Sequence, residues 1–168
     1  YEDLEKIARK QEEAGNGILL LGSTGEGLAF SDVEKKEIVK FVADLKLTVP
    51  VMAGVGGFNI SAQKEWIKYC NSLPIDAFLL VTPLYAKPDT AAQTEWFTTL
   101  LDAAEKPCML YNIPSRTGVK MPPRVLKNVE QHRNLWAVKE AAGSIKDFLK
   151  LRELSPDVPL YSGDDAQI

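Results

Sequence analysis

The sequence contains little of the chemistry that metal centres and disulfide frameworks require. It has two cysteines, Cys70 and Cys108, and a single histidine, His132. The cysteines stand far apart and neither has a CxxC companion, which argues against a structural zinc site and against a disulfide framework. A lone histidine in the polar stretch "EQHRN" nearly excludes a histidine-based triad or a metal cluster. We therefore expect no metal ion and a reducing compartment.

Charge and hydropathy exclude two further classes of partner. The 20 basic residues are scattered among 23 acidic ones, and the formal net charge is -3. Because no basic stripe is present, nucleic acid is not an expected partner. The sequence also lacks an apolar run of about 18 residues and a visible signal peptide. It therefore predicts a cytoplasmic protein without a membrane partner.

Six short runs of apolar residues are the main positive feature. They are apolar throughout rather than alternating, as strands buried on both faces of a parallel sheet must be. Helical patterns alternate strictly with them, at roughly 25–30 residues per unit, the size of a βα repeat. The predicted strands are residues 17–22, 49–54, 77–82, 107–112, 135–139 and 158–163, and the predicted helices are residues 1–14, 31–45, 59–72, 91–104, 122–129 and 144–154.

This alternation predicts an α/β protein of one of two architectures, a doubly wound sheet or a (β/α)8 barrel. A barrel needs eight strands in about 250 residues. If the chain is a barrel, residues 1–168 form a single partial (β/α)8 domain with about strands 2 to 7. Neither end resembles a natural terminus. We expect no activity from these residues alone, because an unclosed barrel exposes sheet edges.

Polar residues follow the predicted strands, and in parallel α/β folds these strand ends gather at the face that binds ligands. Lys139 ends the fifth apolar run, "LWAVK". Strand alternation predicts that Leu135, Ala137 and Lys139 share the inner side, and that Trp136 packs against the helices. Burial lowers the pKa of an ammonium group, and a neutral lysine is a nucleophile toward a carbonyl carbon.

Lys139 also has a simpler interpretation, an inward lysine paired to a carboxylate such as Glu140 or Asp164. Tyr111 has the same placement one unit earlier, at the end of "CMLY". A buried phenol often does no more than find a hydrogen-bond partner. Next to a lysine, however, a phenol can shuttle a proton to and from a forming carbinolamine.

The glycine-rich turn "GSTGEG" lacks the Gly-Lys-Ser/Thr of a phosphate-binding loop, so a nucleotide is not expected. Its glycines, Gly25 among them, let backbone amides approach a ligand, and the hydroxyls of Ser23 and Thr24 lie beside them. Such a turn suits a small carboxylate, although an ordinary tight βα turn is the alternative. Arg116, in "PSRTG", belongs to a residue type that is more often on the surface, but its fork would fit a second carboxylate.

Taken together, the motifs "GSTGE", "TPLYAKP", "YNIPSRTG", "VKEAAG" and "SGDDA" resemble those of the class I, pyruvate-dependent aldolases in order and approximate spacing. The resemblance covers essentially all 168 residues and is greatest to the dihydrodipicolinate synthase group. It implies a (β/α)8 barrel with a helical C-terminal extension, usually in a homotetramer built as a dimer of dimers. It also implies that the chain is a piece of a longer protein.

The resemblance assigns roles to individual residues. Lys139 matches the lysine that captures pyruvate as a Schiff base, and Tyr111 matches the tyrosine that relays protons. Ser23 and Thr24 match a Thr-Thr pair, the first in the proton relay and the second at the pyruvate carboxylate. Serine at position 23 keeps the hydroxyl but loses the methyl group that fixes its rotamer.

Three further positions match residues at the rim of the family's site. Tyr85 matches the tyrosine that crosses a dimer interface to complete the neighbour's relay. Arg116 matches the arginine that receives the carboxylate of the aldehyde. Gly163 lies near a backbone carbonyl that faces the lysine.

The implied reaction joins pyruvate to L-aspartate 4-semialdehyde and yields 4-hydroxy-tetrahydrodipicolinate, the first committed step of lysine and diaminopimelate biosynthesis. The resemblance implies no cofactor beyond the covalent pyruvate imine on Lys139, because the iminium itself is the electron sink. Two alternatives stay open. "GSTGE" is also common in N-acetylneuraminate lyases and related 2-keto-acid aldolases, and a non-catalytic relative could bind such a ligand as a sensor.

Many members of this group are inhibited by lysine in a pocket at the dimer interface. In this chain Gln63 replaces an acidic residue that would pair with the ammonium group of lysine, Leu84 replaces a tyrosine, and Lys35 adds like charge. We therefore expect weak or absent inhibition by lysine. The matching positions are Gly27, Leu28, Asp32, Lys35, Asn59, Gln63 and Leu84.

Overall fold

The computed structural model describes residues 1–167, in which six strands alternate with helices. The strands are β1 Ile18–Leu20, β2 Val51–Val55, β3 Ala77–Val81, β4 Cys108–Asn112, β5 Leu135–Glu140 and β6 Leu160–Ser162. The helices are α1 Glu2–Glu13, α2 Asp32–Asp44, α3 Ile60–Asn71, α4 Thr90–Ala103, α5 Pro114–Thr117, α6 Pro123–Val129 and α7 Ile145–Leu154, followed by a 3₁₀ turn at Asp165–Gln167.

The order of the strands in the sheet decides between the two predicted architectures. All neighbouring strands are parallel, and their spatial order is β1-β2-β3-β4-β5-β6. A doubly wound sheet reverses its strand order at a switch point, whereas the wall of a β/α barrel keeps the order of the chain. The α/β prediction and the partial (β/α)8 barrel are therefore confirmed.

Apolar side chains cover both faces of this sheet. One set packs between the sheet and the helices, where Phe78, Leu80, Leu110 and Val138 of the strands meet Phe97 of α4, each with 0% exposure. Burying one such side chain contributes about 1.5–3 kcal/mol. The smaller set lies on the other, concave face and consists of Leu79, Met109, Tyr111, Ile113, Ala137 and Ala141.

The helix boundaries follow local capping chemistry. Ser31 caps α2: its Oγ accepts from the Glu34 backbone N–H, and the Glu34 carboxylate accepts from the Ser31 N–H at 2.8 Å. Pro114 begins the short α5, where its missing N–H costs nothing. No helix within residues 1–167 has both the length and the apolar content needed to span a bilayer.

The prediction that Leu135 lies on the inner side of β5 and that Trp136 packs against the helices was wrong. A β-bulge pairs Leu135 with Cys108 but Ala137 with Met109, so two residues of β5 oppose one of β4. Leu135 consequently packs with the helix-side core instead of sharing the inner side with Ala137. Trp136 does not pack against the helices; it lies 5.8 Å from Tyr161, measured between ring centroids, and stays 39% exposed.

Candidate active site

Lys139 and Tyr111 are the centre of the candidate site. They are register partners on β5 and β4, close to the carboxyl ends of these strands. The Lys139 Nζ lies over the Tyr111 ring, 4.4 Å from its centroid. Tyr111 is only 5% exposed and Lys139 is partly buried. The sheet therefore brings an amine and a phenol together, as the alternation of strand residues predicted.

The environment of Lys139 favours its neutral form. Burial lowers the pKa of the ammonium group, because water no longer solvates the charge fully. Among residues 1–167, no carboxylate forms an ion pair with Lys139 that would offset this loss. A larger fraction of this amine than of an ordinary lysine is therefore unprotonated near neutral pH, with its lone pair available.

The alternative in which Lys139 pairs with Glu140 or Asp164 is wrong, since both carboxylates are bound elsewhere. Glu140 points away from Lys139 because the two are consecutive in the strand, and it accepts hydrogen bonds from Asn112 Nδ2 and from the Ala142 N–H. Asp164 Oδ2 accepts from the Gly143 N–H at 2.9 Å.

The phenol of Tyr111 is surrounded by three other groups of the site. Burial raises its pKa, while the neighbouring Ser23 side chain and the positive charge of Arg116 act to lower it and the negative charge of Asp164 acts to raise it. The phenol is thus protonated near neutral pH and can donate its proton. These effects also show that Ser23 and Arg116 lie within electrostatic reach of Tyr111.

A cavity of about 1380 Å³ opens beside Tyr111. Ser23, Tyr85, Tyr111 and Arg116 of the predicted site residues line it. Lys139 is not among the residues that line this cavity, and its Nζ is 4.4 Å from the centroid of the Tyr111 ring, which does line it. Thr24 and Gly25 are exposed in the turn after β1, and the structure shows no contact between them and Lys139.

The turn that carries Ser23 depends on two glycines whose structural role the sequence motifs did not reveal. Leu21 follows β1 directly and adopts a left-handed φ of 58°. A Cβ on Gly27 would lie 2.2 Å from the Leu21 carbonyl oxygen, and one on Gly54 of β2 would lie 2.7 Å from it. Glycine inside an otherwise apolar strand is a signal of such close backbone approach, so Gly54 could have been found.

Tyr85 lies at the rim of the cavity and projects from the chain. It is 92% exposed and has a positive φ of 67°. A non-glycine residue in this region costs roughly 1–3 kcal/mol, so the surrounding loop must impose the conformation. Arg116, on α5, is also exposed at this rim.

Gly163 packs directly against the side chain of Lys139. A Cβ at this position would lie 2.8 Å from Lys139 Cε and 2.8 Å from the Ala141 Cβ. Its N–H donates to the Glu140 carbonyl oxygen at 2.8 Å, which fixes the backbone there. Only glycine leaves room for the lysine stem in this arrangement.

Fold and site define the chain as part of a β/α-barrel protein with a lysine–tyrosine pair at the carboxyl ends of its strands. The family model described as the Dihydrodipicolinate synthetase family matches residues 2–168. The chain belongs to the dihydrodipicolinate synthetase family.

Known relatives agree in sequence and in structure. The chain is 54% identical over 161 residues to the 4-hydroxy-tetrahydrodipicolinate synthase of Francisella philomiragia, a match that covers 96% of this chain and 55% of that protein. It superposes on the crystal structure of dihydrodipicolinate synthase from Aquifex aeolicus with a TM-score of 0.94 and 26% identity, over 99% of this chain and 58% of the other. For DHDPS from Cyanidioschyzon merolae with lysine bound, the TM-score is 0.90 and the identity 36%, over 97% and 57% of the two chains. The chain thus spans little more than half the length of these relatives.

The contact between Gly163 and Lys139 generates a prediction. Gly163→Ala should slow the covalent capture of pyruvate by Lys139 at least about tenfold, because the added methyl displaces the lysine stem from its position over Tyr111. The rate is measured by mass spectrometry after borohydride reduction in the full-length protein that carries these residues. Gly17→Ala is the control, since its Cβ would meet nothing closer than 3.5 Å. Equal capture rates for the two variants would contradict the steric argument.

Proposed function

We propose that the protein carrying this chain condenses pyruvate with L-aspartate 4-semialdehyde to give 4-hydroxy-tetrahydrodipicolinate. The observation that carries the proposal is the Lys139 amine, 4.4 Å from the centre of the Tyr111 ring and with its pKa lowered by burial. The identity of 54% to a synthase of that name supports the choice of reaction.

The first stage is capture of pyruvate by Lys139. The neutral Nζ attacks the ketone carbon and forms a carbinolamine. The carbinolamine hydroxyl leaves as water with a proton from the Tyr111 phenol, which gives a protonated imine and a phenolate. Burial suits both groups to these roles, because it makes the amine less basic and keeps the phenol protonated.

The second stage forms the carbon–carbon bond. The protonated imine draws electrons from the pyruvate methyl group, which gives a proton to the Tyr111 phenolate, and the protonated imine becomes an enamine. The enamine carbon attacks the aldehyde carbon of the second substrate, and the aldehyde oxygen takes a proton from the Tyr111 phenol and becomes a hydroxyl group. The amino group of that substrate then adds to the imine carbon and displaces Lys139, which closes the ring and regenerates the free amine.

Both substrates carry carboxylates, and we assign a binding group to each. The Ser23–Thr24–Gly25 turn offers hydroxyls and backbone amides to the pyruvate carboxylate. Arg116 offers its fork to the carboxylate of the aldehyde. Support comes from the shared cavity that Ser23 and Arg116 line and from the action of both on the pKa of Tyr111.

Borohydride trapping tests the assignment of Lys139. Incubation of the full-length protein with pyruvate and borohydride should add one reduced pyruvate to Lys139, identified by peptide mass mapping. Lys139→Arg should abolish the adduct, because a guanidinium group stays protonated. Tyr111→Phe should keep the adduct but form it about 10²–10⁴-fold more slowly, since it removes a proton-transfer group.

The second substrate is tested separately. Enzyme supplied with pyruvate in the absence of borohydride that turns over L-aspartate 4-semialdehyde, but not an N-acylated sugar aldehyde, supports the proposed condensation. Turnover of only the sugar-derived acceptor would assign the lyase reaction instead. Absence of any adduct on the wild-type protein would leave a ligand-binding protein and refute the proposed reaction.

We also propose that the site is completed by a second copy of the chain through Tyr85. The support is the exposure of two apolar side chains that line the same cavity, Tyr85 at 92% and Leu28 at 62%. Exposed apolar side chains around a ligand cavity are typical of a surface that a partner covers. In a symmetric dimer each Tyr85 would extend the proton relay of its neighbour.

Subunit mixing tests this arrangement. Tyr85→Phe and Lys139→Arg should each be nearly inactive alone. After equal mixing and exchange, about a quarter of the sites should recover, because half of the dimers are mixed and each holds one complete site. Mixed protein without recovered activity, in the presence of demonstrated heterodimers, would contradict the crossing of Tyr85.

Lysine should inhibit the enzyme weakly or not at all. The cavity wall has a neutral amide at Gln63, where the inhibited relatives have an acid, and the carboxylate of Asp32 already faces Lys35 Nζ at 3.5 Å. Millimolar L-lysine should therefore leave the steady-state rate unchanged, whereas Gln63→Glu combined with Leu84→Tyr should introduce inhibition. Full inhibition of the unaltered protein by sub-millimolar lysine would show this reasoning to be wrong.

A further inference from the structure

A second polar pair lies immediately behind Lys139 and Tyr111. Asn112 and Glu140 are the next residues of β4 and β5 and are also register partners. Both are 1% exposed. Asn112 Nδ2 donates to the two carboxylate oxygens of Glu140 at 2.8 and 3.0 Å. Consecutive strand residues point to opposite faces, so this pair faces the helix side while Lys139 and Tyr111 face the concave side.

The remaining polar atoms of the pair bind the loops around the site. Glu140 Oε1 also accepts from the Ala142 N–H at 2.7 Å, and Asn112 Oδ1 accepts from the Met121 N–H at 2.9 Å. The backbone at the same level is bonded in turn: the Ala141 N–H donates to the Asn112 carbonyl at 2.9 Å. The pair thus ties together the ends of β4 and β5, the loop after β5 and the segment that follows α5.

Stability alone is a poor explanation for a carboxylate at this depth. Burial of the Glu140 carboxyl raises its pKa, and the hydrogen bonds from Asn112 and Ala142 oppose this only in part. Its nearest charged neighbours, Lys120 and Asp147, are paired with each other. Apolar residues of similar volume would commonly stabilise such a position as well or better. A buried, fully hydrogen-bonded polar pair does, however, fix geometry.

We propose that Asn112 and Glu140 are positioning residues that hold the ends of β4 and β5 in the register at which Lys139 Nζ meets Tyr111. The inference rests on the proposed function, because it gives this pair a role in imine formation. Neither residue touches the reacting atoms. Each is joined by one peptide bond to a residue that does, so a small movement of either strand end displaces the amine relative to the phenol, and displacements near 1 Å can cost about 10²-fold in rate.

The network can be disrupted and rebuilt with nearly isosteric changes. Asn112→Asp places two carboxyl groups against each other, and Glu140→Gln places two amide donors against each other. In the double variant the polarity is exchanged, because the new amide nitrogen at position 140 donates to the new carboxylate at position 112. That carboxylate still accepts from the Met121 N–H, and the amide oxygen at position 140 still accepts from the Ala142 N–H. The double variant therefore restores one hydrogen bond between the two side chains and both bonds to the backbone, without restoring either original side chain.

Each single variant in the full-length protein should lower kcat and the rate of borohydride-trapped imine formation about 10- to 100-fold, with the KM for pyruvate changed less than about threefold. The double variant should recover to within about threefold of the unaltered protein. Thermal unfolding of every variant separates loss of folded protein from loss of rate per folded molecule.

Asn134→Asp is the matched control. Asn134 precedes β5 at its opposite end, and its Nδ2 donates to the Leu101 and Ala104 carbonyls at 3.0 and 2.7 Å. The substitution should lower Tm by an amount comparable to the single variants and leave kcat unchanged. Wild-type trapping rates in folded single variants, or equal rate losses in the Asn134→Asp control, would overturn the positioning role.

A measurement that needs no pyruvate keeps this inference separate from the proposed function. Competitive acylation of Lys139 as a function of pH reports the position and basicity of its amine directly. The single variants should move that profile toward the one of an exposed lysine, and the double variant should restore it. If the unaltered protein traps no keto acid, the proposed function fails, but the acylation profile still tests the role of Asn112 and Glu140. An identical profile in all variants would refute their positioning role.

Discussion

The parallel register between β4 and β5 is the constraint on which the site depends. It pairs Tyr111 with Lys139 on one face and Asn112 with Glu140 on the other. Because side chains alternate along a strand, a slip of one residue would exchange the two faces. The amine would then lie in the helix-side core and the carboxylate on the concave face. The bulge near Cys108 and Met109 precedes these pairs, so the ladder is already in its final register where the functional residues begin.

The two faces of the sheet each bury one charged group, of opposite sign. On the concave face Lys139 is partly buried without a carboxylate partner among the described residues. Its pKa is lowered because burial removes water that would solvate the ammonium charge. On the helix side no basic residue within 1–167 forms an ion pair with the buried Glu140 carboxylate, which accepts hydrogen bonds from Asn112 and Ala142 instead. A direct Lys139–Glu140 pair would have satisfied both groups and kept the amine protonated. The separation by strand alternation keeps the amine available for bond formation.

Much of this arrangement could be predicted from the sequence. Continuous apolar runs and their spacing indicated parallel strands, and the polar residues after them indicated the face that carries the site. The order of the strands could not be derived from counting, because a doubly wound sheet and a barrel share the same repeat. The predicted orientation of Trp136 was wrong because a β-bulge interrupts the alternation of side chains along β5, and this bulge has no local sequence signal. The partners of Glu140 could not be predicted either, since they depend on which strand end lies beside it in the sheet.

Close backbone packing explains why glycine recurs around the site. Gly27 and Gly54 let the chain pass the Leu21 carbonyl and so place the Ser23 turn over the end of the sheet. Gly163 also permits close packing, because the stem of Lys139 occupies the volume that a Cβ at position 163 would need. Gly54 lies in β2, Gly27 in the turn after β1 and Gly163 directly after β6, and of the three it is Gly163 that contacts Lys139. A nucleophile held by backbone contacts keeps little conformational freedom, and little entropy then remains to be lost when it reaches the carbon that it attacks.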